Sequence, residues 1–251
     1  MRPQNKGFAE NYIIFAPKLQ KTMATEPKHF SEHDRIFYSD GFKLAQSAID
    51  QGLSNATLFL AIESLYAAID GLNDSVVALA QRQKMAVACH KGCHWCCHQA
   101  VYANSYELHY LSEKIKLRFP AQKVLQLMEA AKAKQAVTSK LNEEEVSTYK
   151  SPCPLLENGA CSIYDARPMA CRIYLSTQLK TCTEFYQQPE NKLNYPALID
   201  LPLRAGRMMN EGFMAALKGY GIETAEFRLE EGLKIVLQND QPAFGSNPSL
   251  D

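Results

Sequence analysis

The sequence has no excess of charge of either sign and no long apolar run. Among its 251 residues, 27 lysines and arginines balance 27 aspartates and glutamates, so no summed field gathers nucleic acid or an anionic membrane surface. The most apolar run, Thr57 to Ile69, is interrupted by Glu63 and falls well short of the roughly 20 residues a spanning helix needs. Near the N-terminus, Tyr12 to Ala16 gives way at once to Pro17-Lys18, too short for the apolar core of a secretory signal. These absences predict a cytoplasmic protein with neither nucleic acid nor membrane as partner. Other patterns are missing too. Gly219-Tyr220-Gly221 is not a phosphate-binding glycine loop, no His-Glu-x-x-His helix occurs, and there is no repeat and no β-rich section.

What is present is ordinary for a folded protein. Hydrophobic residues make up 46% and charged residues 22%, a balance compatible with a sizeable core that forms without help from a metal. Residues 1–30, with Pro3, Pro17 and Pro27, read as an irregular arm. From Ser31, a plausible N-cap, Ile36, Phe37, Leu44, Ala48 and Ile49 fall on one helical stripe. Ser54 opens a second helix through Leu58, Ile62, Leu65 and Ile69 that is expected to end at Asp70-Gly71, and a third runs from about Asp74 to Met85. Further helices are predicted over Ser105–Phe119, stopped by Pro120, and from Ala121 to about Val137. Thr138 to Ser151, with the acidic run Glu143 to Glu145, reads as a solvated connection. Pro202–Leu217 and Thr224–Leu237 complete the helices. The expected class is mainly α, an irregular helical domain built around a cysteine-rich metal site. Its parts are an arm (1–30), an N-terminal helical region (31–88), a cysteine-cluster domain (89–185) and C-terminal helices with a tail (186–251).

The chemistry lies in the cysteines. All eight fall between Cys89 and Cys182, and four occupy the pattern Cys89-x3-Cys93-x2-Cys96-Cys97. Such spacings let one turn of backbone aim several thiolates at a common point, and thiolates are strong ligands for zinc and iron–sulfur clusters. Gly92 favours a turn or frayed helix end among them. The second group, Cys153-x7-Cys161-x9-Cys171-x10-Cys182, is looser and gains meaning beside the first. Eight thiolates exceed one tetrahedral zinc site and are enough for two, or for one cluster with thiols to spare. Adjacent Cys96 and Cys97 would strain to hold one metal together, so different roles are expected of them. His90, His94 and His98 alternate with the quartet as candidate ligands or as donors to ligands; exposed polar positions explain them as cheaply. Disulfides cannot comfortably join such close neighbours and are disfavoured in the cytosol.

The quartet, together with Cys161-Ser162-Ile163-Tyr164 and Arg167-Pro168-Met169-Ala170-Cys171-Arg172, resembles the YkgJ-like cysteine-cluster family over roughly residues 89–185. That resemblance implies a zinc or iron centre. It puts Cys89, Cys93, Cys96, Cys97, Cys153, Cys161 and Cys171 at family cysteine positions, to which the spacing adds Cys182. Arg167 and Arg172 are read as groups that orient thiolates or hold an anion, against the alternative of surface pairing with an acid. Ile163, Tyr164 and Met169 either shield the site or serve as core. A second reading is an iron–sulfur-dependent methyltransferase similar to flagellin lysine N-methylases, against which stands the lack of a donor-binding motif. Cys89-x3-Cys93-x2-Cys96 also matches the short radical S-adenosylmethionine pattern, but those enzymes are partial α/β barrels and strand signals here are scarce. Glu63 and Glu107 are candidate bases, each expected on a helix surface. The sequence decides neither zinc against iron nor catalysis against simple binding.

Overall fold

Four amphipathic helices form the frame. The computed structural model describes residues 31–191 and 193–238; the predicted arm and most of the predicted tail lie outside the described residues. Helix α1 (Glu32–Asp50) turns Ala45 and Ala48 inward, and α2 (Asn55–Arg82) buries Leu58, Ile62, Leu65 and Ile69, the three- and four-residue recurrence read from the sequence. Ser54 caps α2 in a capping box with Thr57, which satisfies N–H groups that a helix start otherwise leaves unpaired.

In chain order there follow β1 (Tyr102–Asn104), α3 (Ser105–Arg118), α4 (Ala121–Thr138), α5 (Glu143–Thr148), β2 (Leu156–Glu157) and β3 (Ala160–Cys161). The short α6 (Met169–Arg172), α7 (Leu179–Gln187), α8 (Asp200–Gly219), β4 (Glu226–Arg228) and α9 (Leu229–Gln238) complete the described chain. Nine α-helices and two two-stranded antiparallel sheets, β1 with β4 and β2 with β3, are found among the described residues. The mainly α expectation holds, and no α/β barrel accompanies the radical-enzyme spacing. None of the described helices is long and apolar enough to cross a membrane.

Helix α8 is the central post. Met209, Phe213, Ala216 and Leu217 are buried on one side of it, and α1 packs along it. The two helices approach so closely that a Cβ on Gly212 would fall 1.9 Å from the carbonyl oxygen of Tyr38, and one on Gly41 1.9 Å from that of Met209. Only glycine fits at either crossing point. Helix α9 packs on α3 and α4 across a core that includes Leu108, Leu111, Ile115, Leu127 and Leu233. Each large side chain fully buried in this way contributes on the order of 1.5–3 kcal/mol.

Several expectations need correction. The break at Asp70-Gly71 does not occur, and α2 runs through to Arg82. Asp70 and Asn73, on either side of Gly71, are both held by Arg172, through its guanidinium and its carbonyl. These tertiary bonds offset the roughly 1 kcal/mol that a mid-helix glycine costs. The connection after α4 contains a helical turn, because Asn142 and Glu145 form a reciprocal capping box in what reads as a featureless acidic run. Finally, the segment from Thr224 begins as strand β4 rather than helix, since its backbone pairs with β1 in the register Ala103↔Phe227.

Candidate metal centre

The first cysteine segment is shaped by its backbone. Gly92, at φ 98°, turns the chain, and a 3₁₀ turn follows over Trp95–His98. The N–H of Cys93 bonds the carbonyl of His90, and that of Cys97 the carbonyl of His94. The turn sets Cys96 and Cys97 side by side, with their thiols in hydrogen-bond contact. Cys89 is tied elsewhere: the N–H of Ser176 donates to its Sγ at 3.1 Å, and the thiol reaches the carbonyl of Tyr174 at 3.5 Å.

The second segment is stitched to the first through main chain. The N–H of Cys153 bonds the carbonyl of Cys97 at 2.7 Å, and that of Ser151 the carbonyl of His98 at 3.0 Å. Cys161 stands in β3, at the end of a hairpin whose turn is Asn158-Gly159, both with positive φ. That dipeptide is a strong hairpin signal between strands, one that the sequence analysis did not use. Cys171 rides on α6, and Cys182 on α7, which packs against the 3₁₀ turn.

All eight cysteines are free thiols, partly accessible. Seven of them, all but Cys182, line one cavity of about 590 Å³. Their mutual fields divide them into two neighbourhoods. Cys89 feels Cys96, Cys93 and Cys182, whereas Cys171 feels Cys153, Cys96 and Cys161. Cys96 belongs to both. Among the described residues, no three Cys, His, Asp or Glu side chains are already drawn together as a coordinating set.

Burial dominates the thiol chemistry. It pushes Cys89 up to about 11 and Cys153 up to about 12, and raises Cys93, Cys161 and Cys171. Backbone N–H groups oppose it: those of Ser176, Trp95, Leu155 and Ile163 face Cys89, Cys93, Cys153 and Cys161 and favour the thiolate. In three of these four the donor lies two residues beyond the cysteine. Cys96 is the exception. The Cys97 thiol donates to it and pulls it down to about 7, and Cys97 is pushed up in return. A thiol-rich set with amide donors on its sulfurs suits zinc or iron, the metals that take such ligands.

Residues 88–192 match the CxxCxxCC family. The family's description is "Putative zinc- or iron-chelating domain", and the match covers less than half of the chain. No curated protein and no solved structure gives a significant match. In this chain the first gap of the quartet is one residue longer than the family's name writes, and that gap holds the Gly92 turn.

The matched segment rests on polar pins, which sequence reasoning found only in part. Arg172 is buried rather than at the surface. Its guanidinium donates to Asp70 of α2 and to the carbonyls of Asp165 and Arg167, and stacks 3.9 Å over the Tyr66 ring. Arg167 lies nearer the thiols; its charge lowers Cys96, Cys161 and Cys171, and it covers the Tyr164 ring at 3.8 Å. Glu107 is not on a helix surface, being 1% exposed. It accepts from the Tyr66 hydroxyl, from the N–H groups of Asn104 and Met169 and from the Asn104 amide, so it fixes the start of α6 two residues before Cys171. Glu63 remains partly exposed and pairs with Lys114. Ile163 and Met169 are core residues, and Met169 and Tyr164 both line the cavity. The fourfold spacing of Glu107 from Leu111 and Ile115 places it on the buried stripe of α3, and that signal could have found it.

His94 and His98 join an aromatic cluster, whereas His90 lines the cavity with the thiols. The His98 ring packs on Tyr186 and on His94, which lies against Trp95, with centroids 4.9–5.6 Å apart. Nδ1 of His98 meets the carbonyl of His94, and His90 is exposed. Nδ1 of His94 is buried without a hydrogen-bond partner.

Proposed function

We propose that the CxxCxxCC segment chelates zinc or iron through its cysteine thiolates, with Cys89, Cys93 and Cys182 on one side of Cys96 and Cys97, Cys153, Cys161 and Cys171 on the other. The observation that carries this reading is the convergence of seven thiols on one cavity, with backbone N–H groups aimed at several of the sulfurs. When bound, the metal supplies a positive charge that replaces the thiol protons. The protein's part is to hold the thiolates: Ser176 orients Cys89, Glu107 and Arg172 hold the segment that carries Cys171, and Arg167 offsets part of the thiolate charge. An iron–sulfur centre is one finer reading and a pair of zinc sites the other, since seven thiols exceed the four that a single structural zinc or a single cluster takes. No observation among the described residues favours methyl transfer.

The test is elemental analysis with a visible spectrum on protein purified without oxygen. Stoichiometric zinc in colourless protein, or iron with acid-labile sulfide in brown protein, supports chelation and decides between the metals. Protein free of both overturns it. Cys93→Ser and Cys161→Ser, one in each segment, are expected to lower the bound metal; unchanged stoichiometry in both removes these residues from the site. Trp95, the single tryptophan, sits between Cys93 and Cys96, so its emission reports metal uptake directly.

A further inference from the structure

The cavity is larger than a metal ion requires. About 590 Å³ lies within the range of pockets that hold small organic molecules, roughly 300–1,000 Å³. Its wall includes the thiols, and the lining also takes in α8, which packs on α6, and β4. There Arg207, Asn210 and Glu211 stand at i, i+3 and i+4 on one face of α8, and Glu226 projects from β4. Arg207, Glu211 and Glu226 are exposed and so lie at the opening. Among the described residues, their side chains make no hydrogen bond or ion pair with protein. Asn210 is held by the Tyr106 hydroxyl, which donates to its Oδ1 at 3.1 Å and leaves its amide N–H groups free. Beside these groups the lining is mostly apolar, with Met214 and Leu229 nearest in sequence to the polar group.

Both signs of charge at the opening of an apolar cavity match a ligand with a zwitterionic head and an apolar body. We propose that the cavity binds an apolar α-amino acid or a close analogue: its ammonium between Glu211 and Glu226, its carboxylate on Arg207 and the Asn210 amide, its side chain directed inward. A ligand so placed lies between solvent and the thiols, whether or not metal is bound there.

The experiment is titration calorimetry on the full chain with three matched probes: L-phenylalanine, phenethylamine, which lacks the carboxylate, and hydrocinnamate, which lacks the ammonium. It is run with and without added zinc, so that a failure of metal binding leaves the result readable. L-phenylalanine is expected to bind at least tenfold more tightly than either analogue. Glu226→Gln and Arg207→Gln, both at exposed positions, are each expected to weaken it at least tenfold while the circular dichroism spectrum stays unchanged. No binding of L-phenylalanine, equal binding of the three probes, tighter binding of either analogue, or variants that bind like the parent would each overturn the proposal.

Discussion

The frame and the cysteine-bearing segment are held by opposite means. In α1, α2, α8 and α9, long helices bury continuous apolar stripes, and α1 meets α8 through glycines that admit no side chain. Between Cys89 and Gln187, apart from α3 and α4, the elements are short and contribute few fully buried apolar residues, among them Leu155, Ile163 and Met169. Here position is set by main-chain bonds and by two buried charged groups, Glu107 and Arg172. The frame therefore draws its stability from area removed from water, and the site draws its shape from directional bonds. Damage to one should be separable from damage to the other.

The largest effect is expected at the helix crossing. Gly212→Val places side-chain atoms against the backbone of Tyr38, which cannot give way as a side chain would. A loss of about 4 kcal/mol, above the usual cost of overpacking, should appear in urea unfolding. Metal uptake per folded molecule should survive; its loss would break the separation. Next comes Glu107→Ala, which leaves the buried donors of Tyr66, Asn104 and Met169 unsatisfied. About 3 kcal/mol should be lost, and this variant, unlike the first, should also lower metal affinity at equal folded fraction.

A third effect concerns the thiols alone. Because burial holds Cys89 and Cys153 protonated well above neutral pH, metal binding must release protons. Apparent affinity should then fall as pH is lowered, by about tenfold per pH unit for each proton released. An affinity flat from pH 6 to 8 would place the metal elsewhere. The smallest effect belongs to the frame's surface. Lys114→Met removes a half-exposed pair with Glu63 at 2.7 Å and should change stability by less than about 1 kcal/mol, with no effect on metal.

The same division decides what could be read from the sequence. The stripes of α1, α2, α3 and α8 are local periodicities, so Leu58, Ile62, Leu108 and Leu111 were legible as core. The Cys89–Cys97 crowding was legible as chemistry for the same reason. Where residues far apart in sequence decide, the reading stopped short. Arg172 carries α2 past Gly71, and β1 draws residues 226–228 out of a helix. Each of these depends on a partner tens of residues away, which periodicity does not register. The partition of thiols around Cys96 is of that kind as well, since it follows from how the β2–β3 hairpin and α6 are folded back.

The bond from Cys153 to the carbonyl of Cys97 joins two stretches that leave the ribosome at different times. At about 5–20 residues per second, the first quartet emerges several seconds before its partners. During that interval Cys89, Cys93, Cys96 and Cys97 lack the Ser176 amide, the hairpin and Arg167. The nascent chain thus presents four closely spaced thiols without the surroundings that later tune them, and on the proposed chelation a metal captured then meets these four before Cys182 or the second segment can contribute.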